Sequence, residues 1–211
     1  DDGITILADA GASFARGCKV ALAAGLSAAL GWVGTPGQIG GALKMNAGSR
    51  LGEIGNVVKR VQCISNGARI VLNHDECGFA YRKSNFPENA VLTRTWLQCD
   101  DCTVQESTNL MVEANKLLER RHLSQPKQKS AGSIFKNPSG DFAGRLIDEA
   151  AGKGLRVGGA EVSKVHANFI VNRGGATAKD VVTLATIVQE RVQRMFDVVL
   201  EWEVKRVGDF S

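Results

Sequence analysis

The 211 residues predict an α+β fold. Strand-like and helix-like periods both occur, and they alternate without the regular rhythm of a doubly wound sheet. Glycine is abundant at 24 residues against 4 prolines, so tight turns and close backbone approaches outnumber linkers. Hydrophobic residues make up 44% of the chain and charged residues 23%, which supplies a real core for one large domain or two small ones.

Residues 4–7 (Ile-Thr-Ile-Leu) read as a strand, entered abruptly from Asp1-Asp2, as if into the middle of a fold. Residues 17–29, rich in Ala and Leu, read as a helix ended near Gly31. Residues 32–48 are glycine-dense and irregular. Residues 57–64 and 68–72 are β-rich and joined through Asn66-Gly67, a hairpin signal. Residues 91–97 form another strand, and 106–121 an amphipathic helix carrying Leu110, Val112, Ala114, Leu117 and Leu118. Residues 124–137 are polar and irregular, 143–151 a short helix stopped by glycine, and 165–171 a strand. Thr177 and Asp180 open the clearest helix, with Val181, Leu184, Ala185, Val188, Val192, Met195 and Phe196 on one face. Residues 198–207 read as a last strand, with Leu200, Trp202 and Val204 opposite Glu201, Glu203 and Lys205. The domain boundary is expected in the polar stretch 123–128.

The formal charge of +4 is spread along the chain, which suits an anionic ligand and argues against a nucleic-acid partner. No apolar run approaches the roughly 20 residues of a membrane span. The longest, 20–33, is interrupted by Gly25 and Gly31, and no basic-then-apolar leader opens the chain. Five cysteines make an odd count for a disulfide framework, so a cytoplasmic protein is expected. His74-x-x-Cys77 and Cys99-x-x-Cys102 superficially fit a structural zinc. Only three of the four ligands are sulfur, however, and Cys99-Asp100-Asp101-Cys102 lacks a glycine knuckle, so thiols and no metal are expected.

Four segments offer chemistry. Gly34-Thr35-Pro36-Gly37-Gln38-Ile39-Gly40-Gly41, followed by Asn46-Ala47-Gly48, bares backbone N–H groups that can approach phosphate, unless it is a plain packed turn. Tyr81-Arg82-Lys83-Ser84-Asn85-Phe86 offers a guanidinium fork for a carboxylate, phosphate or enolate oxygen. On the residues alone, a surface arginine covering an aromatic cluster is the favoured reading there. Ser133-Ile134-Phe135-Lys136-Asn137 offers a hydroxyl, a cation and an amide, without the elbow or His–Asp pattern of a hydrolase; a capped turn is its plain alternative. Glu201-Trp202-Glu203 offers carboxylates, or an ordinary solvated strand face.

In order, Gly34-Thr35-Pro36-Gly37…Gly40-Gly41-Ala42…Met45-Asn46-Ala47-Gly48, Tyr81-Arg82-x-Ser84-x-Phe86, Ala131-Gly132-Ser133-x-Phe135-Lys136-Asn137-Pro138 and Gly158-Gly159-Ala160…His166-Ala167-Asn168-Phe169-Ile170-Val171-Asn172 resemble the UDP-N-acetylenolpyruvoylglucosamine reductase family of peptidoglycan synthesis. The resemblance covers essentially the whole chain. It implies the second FAD-binding subdomain of a vanillyl-alcohol-oxidase-like flavoprotein over 1–122, with a returning strand in 198–211, joined to an α+β substrate-binding domain over 123–197. It also implies reduction of bound FAD by NADPH, then hydride transfer to the enolpyruvyl double bond of UDP-N-acetylglucosamine enolpyruvate, in a monomer.

By the same resemblance Arg82, Ser133 and Glu203 are catalytic and serve one reacting carbon: a charge stabiliser, a proton donor and an assisting acid. Gly34, Thr35, Pro36, Gly37, Gln38, Ile39, Gly40, Asn46 and Gly48 contact the cofactor. Tyr81, Asn137 and Lys153 contact the UDP-sugar. The tyrosine-bearing insertion of the longer family class is absent and Tyr81 is the only tyrosine, so the chain resembles the shorter class. Trp202 stands where the family has proline. On this reading the sequence is expected to lack the family's first FAD subdomain, with its G-G-G-S-N-like turn. This leaves an alternative of another class, a non-catalytic UDP-sugar or nucleotide-binding module.

Overall fold

The computed structural model describes residues 5–99 and 102–208. The elements are β1 (Thr5–Asp9), α1 (Phe14–Ala23), a 3₁₀ turn (Ser27–Trp32), α2 (Ile39–Met45), β2 (Gly48–Ser49), β3 (Gly52–Glu53), a second 3₁₀ turn (Ile54–Val57), β4 (Val58–Ser65), β5 (Ala68–Asn73) and α3 (His74–Cys77). They continue with β6 (Val91–Gln98), α4 (Val104–Ser124), β7 (Ser130–Ser133), α5 (Ala143–Glu149), β8 (Arg156–Val157), β9 (Ala160–Val162), β10 (Phe169–Asn172) and α6 (Ala178–Phe196). The mixture is α+β, as the sequence predicts. The chain forms two compact units, Asp1–Arg121 and His122–Ser211, and the division falls in the last turn of α4.

The first unit is built on an antiparallel sheet in the order β1-β6-β4-β5. The hairpin forms where Asn-Gly places it: Ser65 pairs with Ala68, and Asn66 (φ +48°) and Gly67 (φ +76°) make the turn. Phe14 and Trp32 stack at 5.3 Å between centroids in a core that also takes Leu22, Ile39, Leu43, Ile54, Val61 and Leu97. The single helix expected over 17–29 is two pieces. Gly25 takes φ +84° after α1 and breaks the helical path, and a 3₁₀ turn follows. The glycine-dense stretch contains α2. Gly31 lies so close to the start of β3 that a Cβ there would stand 1.9 Å from the Gly52 carbonyl oxygen. Of the strand expected over 4–7, Ile4 lies outside the described residues. The helix expected over 106–121 starts earlier, because Thr103 and Glu106 cap it reciprocally.

The second unit carries an antiparallel sheet in the order β7-β10-β9-β8. Its core gathers Ile134, Phe135, Leu146, Ile147, Val162, Ile170, Leu184, Val188, Val192 and Leu200. α6 opens with the expected Thr177–Asp180 capping box. Met195, expected on its buried face, is 61% exposed; the face ends in the half-buried Phe196 instead. The strand expected over 165–171 begins only at Phe169, because the Ser163 hydroxyl accepts from the N–H groups of Val165 and His166 and turns the chain first.

The strand expected over 198–207 is not a ladder strand either. Its two-residue alternation holds from Val198 to Trp202, with Leu200 fully buried, and lapses at Glu203, which is half-buried like Trp202 and Val204; the segment makes one isolated bridge, Phe135–Trp202. The resemblance groups this segment with the first domain. Its backbone bonds at Glu201, Glu203 and Val204 run to residues 134 and 136 of the second unit.

Candidate active site

In the first unit the turn at 34–38 follows the 3₁₀ turn and leads into α2. Gly34, Pro36, Gly37 and Gln38 are exposed, Thr35 and Gly40 half-buried, and Ile39 buried. The turn is pinned by Thr35 N donating to the Trp32 carbonyl (3.0 Å), Phe14 N to the Gly37 carbonyl (2.9 Å) and Ile39 N to the Ala12 carbonyl (3.0 Å). Gly37 takes φ +108°, a conformation glycine accepts freely, and a Cβ there would meet nothing within 4 Å. Arg121 lies behind the turn. Its Nη1 donates to the Val33 carbonyl at 2.6 Å and to Thr35 Oγ1 at 3.3 Å. Burial, and then the charge of Arg82, push the Arg121 pKa down. Gly40 N donates to the Ala10 carbonyl (2.8 Å), so with Thr35 N and Ile39 N also taken, the exposed backbone at Gly37 and Gln38, beside a partly buried guanidinium, is the part that fits a phosphate-bearing group.

Arg82 occupies the second position of a two-residue turn closed by Ala80 and Lys83, which exchange backbone hydrogen bonds of 3.0 Å. Its φ is +54°, an unusual conformation for a non-glycine residue. Nη2 donates to the Gly48 carbonyl at 3.1 Å, Nη1 lies 3.7 Å from Glu53 Oε1, and the guanidinium lies 4.9 Å from the centroid of the half-exposed Tyr81 ring. Asn46, in the left-handed C-cap position of α2, braces this turn. Its Nδ2 donates to Glu53 Oε2 (2.7 Å) and to the Ala80 carbonyl (3.1 Å), and its Oδ1 accepts from Gly55 N (2.9 Å). Burial raises the Glu53 pKa, and Arg82 and then Asn46 oppose that rise.

In the second unit, Ser133 ends β7 and is half-buried. Glu203 N donates to the Ile134 carbonyl at 2.8 Å, so residues 70 apart in sequence flank one backbone bond. On the same edge Lys136 N donates to the Glu201 carbonyl at 2.8 Å, and Lys136 Nζ pairs with Glu201 Oε1 at 2.5 Å, which lowers the Glu201 pKa. Asn137 Oδ1 accepts from Ala143 N at 3.1 Å, in the first turn of α5. Lys153 pairs with Asp148 at 2.6 Å. His166 accepts at Nδ1 from Asn168 N (3.2 Å); burial, and then the charge of Lys153, lower its pKa.

The structure thus brings together Arg82, Asn46 and Gly48 in one unit and Ser133 and Glu203 in the other. Sequence reasoning passed over Arg121, Glu53 and Asn168. Asn168 lies in the His166–Asn172 motif, where an amide set in an apolar run is the signal; Glu53 carries none. Among the described residues no group of three His, Cys, Asp or Glu is placed to hold a metal ion.

Fold and site define an α+β protein whose units each present anion-suited groups on pinned turns and strand ends. Residues 125–207 match the family model for the UDP-N-acetylenolpyruvoylglucosamine reductase C-terminal domain. The chain is 48% identical over 181 residues to the reductase of that name from Thermus thermophilus, covering 86% of this chain and 65% of the relative. It is 42% identical over 210 residues to that of Anaeromyxobacter sp. strain Fw109-5 (99% and 65%) and 39% over 209 residues to that of Nitrobacter winogradskyi (98% and 68%). A crystal structure of UDP-N-acetylenolpyruvylglucosamine reductase from Thermus caldophilus superposes with a TM-score of 0.79 at 43% identity, covering 92% of this chain and 70% of that one. The chain belongs to the UDP-N-acetylenolpyruvoylglucosamine reductase family. It spans 65% of the length of the Thermus thermophilus and Anaeromyxobacter relatives.

Proposed function

We propose that this chain serves the NADPH-dependent reduction, through FAD, of UDP-N-acetylglucosamine enolpyruvate to UDP-N-acetylmuramate in peptidoglycan synthesis, in the cytoplasm. One observation supports this beyond kinship: the hydroxyl of Ser133 and the carboxyl of Glu203 are carried on either side of the Glu203 N–Ile134 O bond. The backbone pairing sets side by side the two segments that would carry a proton donor and its assisting acid.

FAD, when bound, supplies a carrier that accepts hydride from NADPH and delivers it to a carbon–carbon double bond. In the turn from Gly34 through Gly40, the exposed backbone at Gly37 and Gln38 would hold its phosphate-bearing part, the rest of the turn would shape the wall, and Asn46 and Gly48 would complete it. Arg82 presents a fixed cation to the negative charge that develops on the enolpyruvyl oxygens. Ser133 hands its proton to the carbon next to the carboxylate. A serine hydroxyl is a weak acid in water, so its transfer depends on the charged groups around it, Glu203 among them. Asn137, Lys153 and Tyr81 orient the UDP-sugar, the lysine as a partner for its diphosphate.

The test uses the full-length protein with FAD, NADPH and the enolpyruvyl substrate, each half-reaction being followed by flavin absorbance. Ser133→Ala is expected to leave flavin reduction by NADPH intact and to slow reoxidation by substrate. Equal slowing of both halves refutes the role given to Ser133. Tight binding of UDP-sugar without substrate-dependent NADPH oxidation favours the non-catalytic module.

A further inference from the structure

The segment that follows Ser133 is held by a side chain acting as a piece of strand. β7 and β10 slip register: Ser133 faces Phe169 and Ser130 faces Val171, so β7 carries one extra residue. Gly132, at φ +82°, sits in this bulge. Beyond Ser133 the ladder to β10 is continued by Asn168, which is 4% exposed. Its backbone carbonyl accepts from Ile134 N at 2.9 Å. Its carboxamide then does what the next strand residue would do: Oδ1 accepts from Phe135 N at 3.0 Å, and Nδ2 donates to the Phe135 carbonyl at 2.8 Å. The N–H of Asn168 is itself spent on His166 Nδ1 at 3.2 Å, which fixes the residue from its other side.

On the opposite edge Ile134 and Lys136 pair with Glu203 and Glu201. Ser133 therefore lies between a bulge that aims it and a stretch clamped on both edges. A carboxamide supplies donor and acceptor together in the plane of a peptide group.

We infer that Asn168 is a positioning residue: by pairing with both backbone groups of Phe135 it fixes the bulged end of β7 and, through it, the direction of the Ser133 hydroxyl. The part that concerns the hydroxyl rests on the proton-donor role proposed above. Asn168 touches no reacting atom. Leucine, close in volume, fills its space and makes none of the side-chain bonds. Aspartate keeps an acceptor for Phe135 N and sets a second oxygen against the Phe135 carbonyl.

The test compares Asn168→Leu, Asn168→Asp and the control Leu184→Ala, which loosens the same core from α6, in the full-length protein. Hydrogen exchange reads the clamp by itself. The Phe135 and Glu203 amides should exchange at least tenfold faster in Asn168→Leu, with α6 amides unchanged. In Asn168→Asp the Phe135 amide should stay protected. Kinetics reads the consequence. Asn168→Leu should reduce flavin with NADPH within twofold of the parent rate and slow reoxidation by the enolpyruvyl substrate at least tenfold, with a larger solvent deuterium isotope effect on that half. Leu184→Ala should leave the ratio of the two halves unchanged. Unchanged exchange at Phe135, or equal slowing of both halves, overturns the inference. If the parent protein fails to reoxidise its flavin with substrate, the functional reading falls, and the exchange result alone decides whether Asn168 holds the strand.

Discussion

The Asn46 carboxamide lies 2.7 Å from the Glu53 carboxylate and 3.1 Å from the Ala80 carbonyl, so the end of α2 is tied to the turn that carries Arg82. Asn46 is 3% exposed, and its removal strands a partly buried carboxylate and the Gly55 N–H. Asn46→Ala is expected to lose about 2–4 kcal/mol, since each buried polar group left unsatisfied costs about 1–3 kcal/mol. Urea titration reads the loss; a change below about 1 kcal/mol would show that water replaces the amide.

Arg82→Lys keeps the charge and loses the fork that reaches the Gly48 carbonyl and Glu53 together. In the full-length protein the substrate half-reaction should slow by about 10²–10³, the loss typical of one preorganised donor at a developing negative charge. Flavin reduction by NADPH should stay near the parent rate. Stopped-flow absorbance separates the two, and a fully active lysine variant would show that charge alone suffices.

Gly31→Ala places a methyl group on the Gly52 carbonyl, 1.9 Å from its oxygen, with backbone rather than a movable side chain in the way. A loss of about 3 kcal/mol is expected, at the upper end of overpacking costs. Thermal and denaturant unfolding measure it.

His166 is held below its ordinary pKa of 6.5 by burial and then by Lys153. The fold therefore favours the neutral imidazole, and the unfolded chain takes up its proton first as pH falls. This contribution to stability is complete above 6.5 and is lost as pH falls from there through the lowered folded pKa. Lys153→Met removes the second cause and should move the His166 titration upward. The chain has three histidines, so NMR titration with a His166→Gln assignment control resolves the shift.

Burial pushes the Cys18 and Cys77 thiols up to about 11, whereas Cys102 is half-exposed. A thiol reagent at pH 7.5 should modify Cys102 in the native protein and reach Cys18 and Cys77 only after denaturation. Cys102→Ser should abolish the fast phase.

What could be read in advance follows from the range of the interactions. Asn66-Gly67 and the Thr177–Asp180 box are local chemistry, so the hairpin and α6 formed where their residues placed them. The break at Gly25 is local too, but Ala and Leu on both sides masked it. Residues 198–202 keep the expected period of two, with Leu200 buried, and alternation alone does not say how many partners a strand will find. At the site, side-chain types and order were visible in the motifs. The bonds that hold them were not: Asn46 reaches 34 residues to Ala80, and Asn168 reaches 33 to Phe135.

The late pairing of Glu201 and Glu203 with residues 134–136 has a consequence for biosynthesis. β7, β8, β9, β10 and α6 all leave the ribosome before Leu200, yet Leu200 fills the interior they surround. The nascent second unit must wait with an open edge beside Ile134 and an unfilled apolar hollow, a state prone to sticking to other chains. A translational pause or a stop codon upstream of Leu200 would leave it there, and chaperone demand should fall sharply once residues 200–204 emerge.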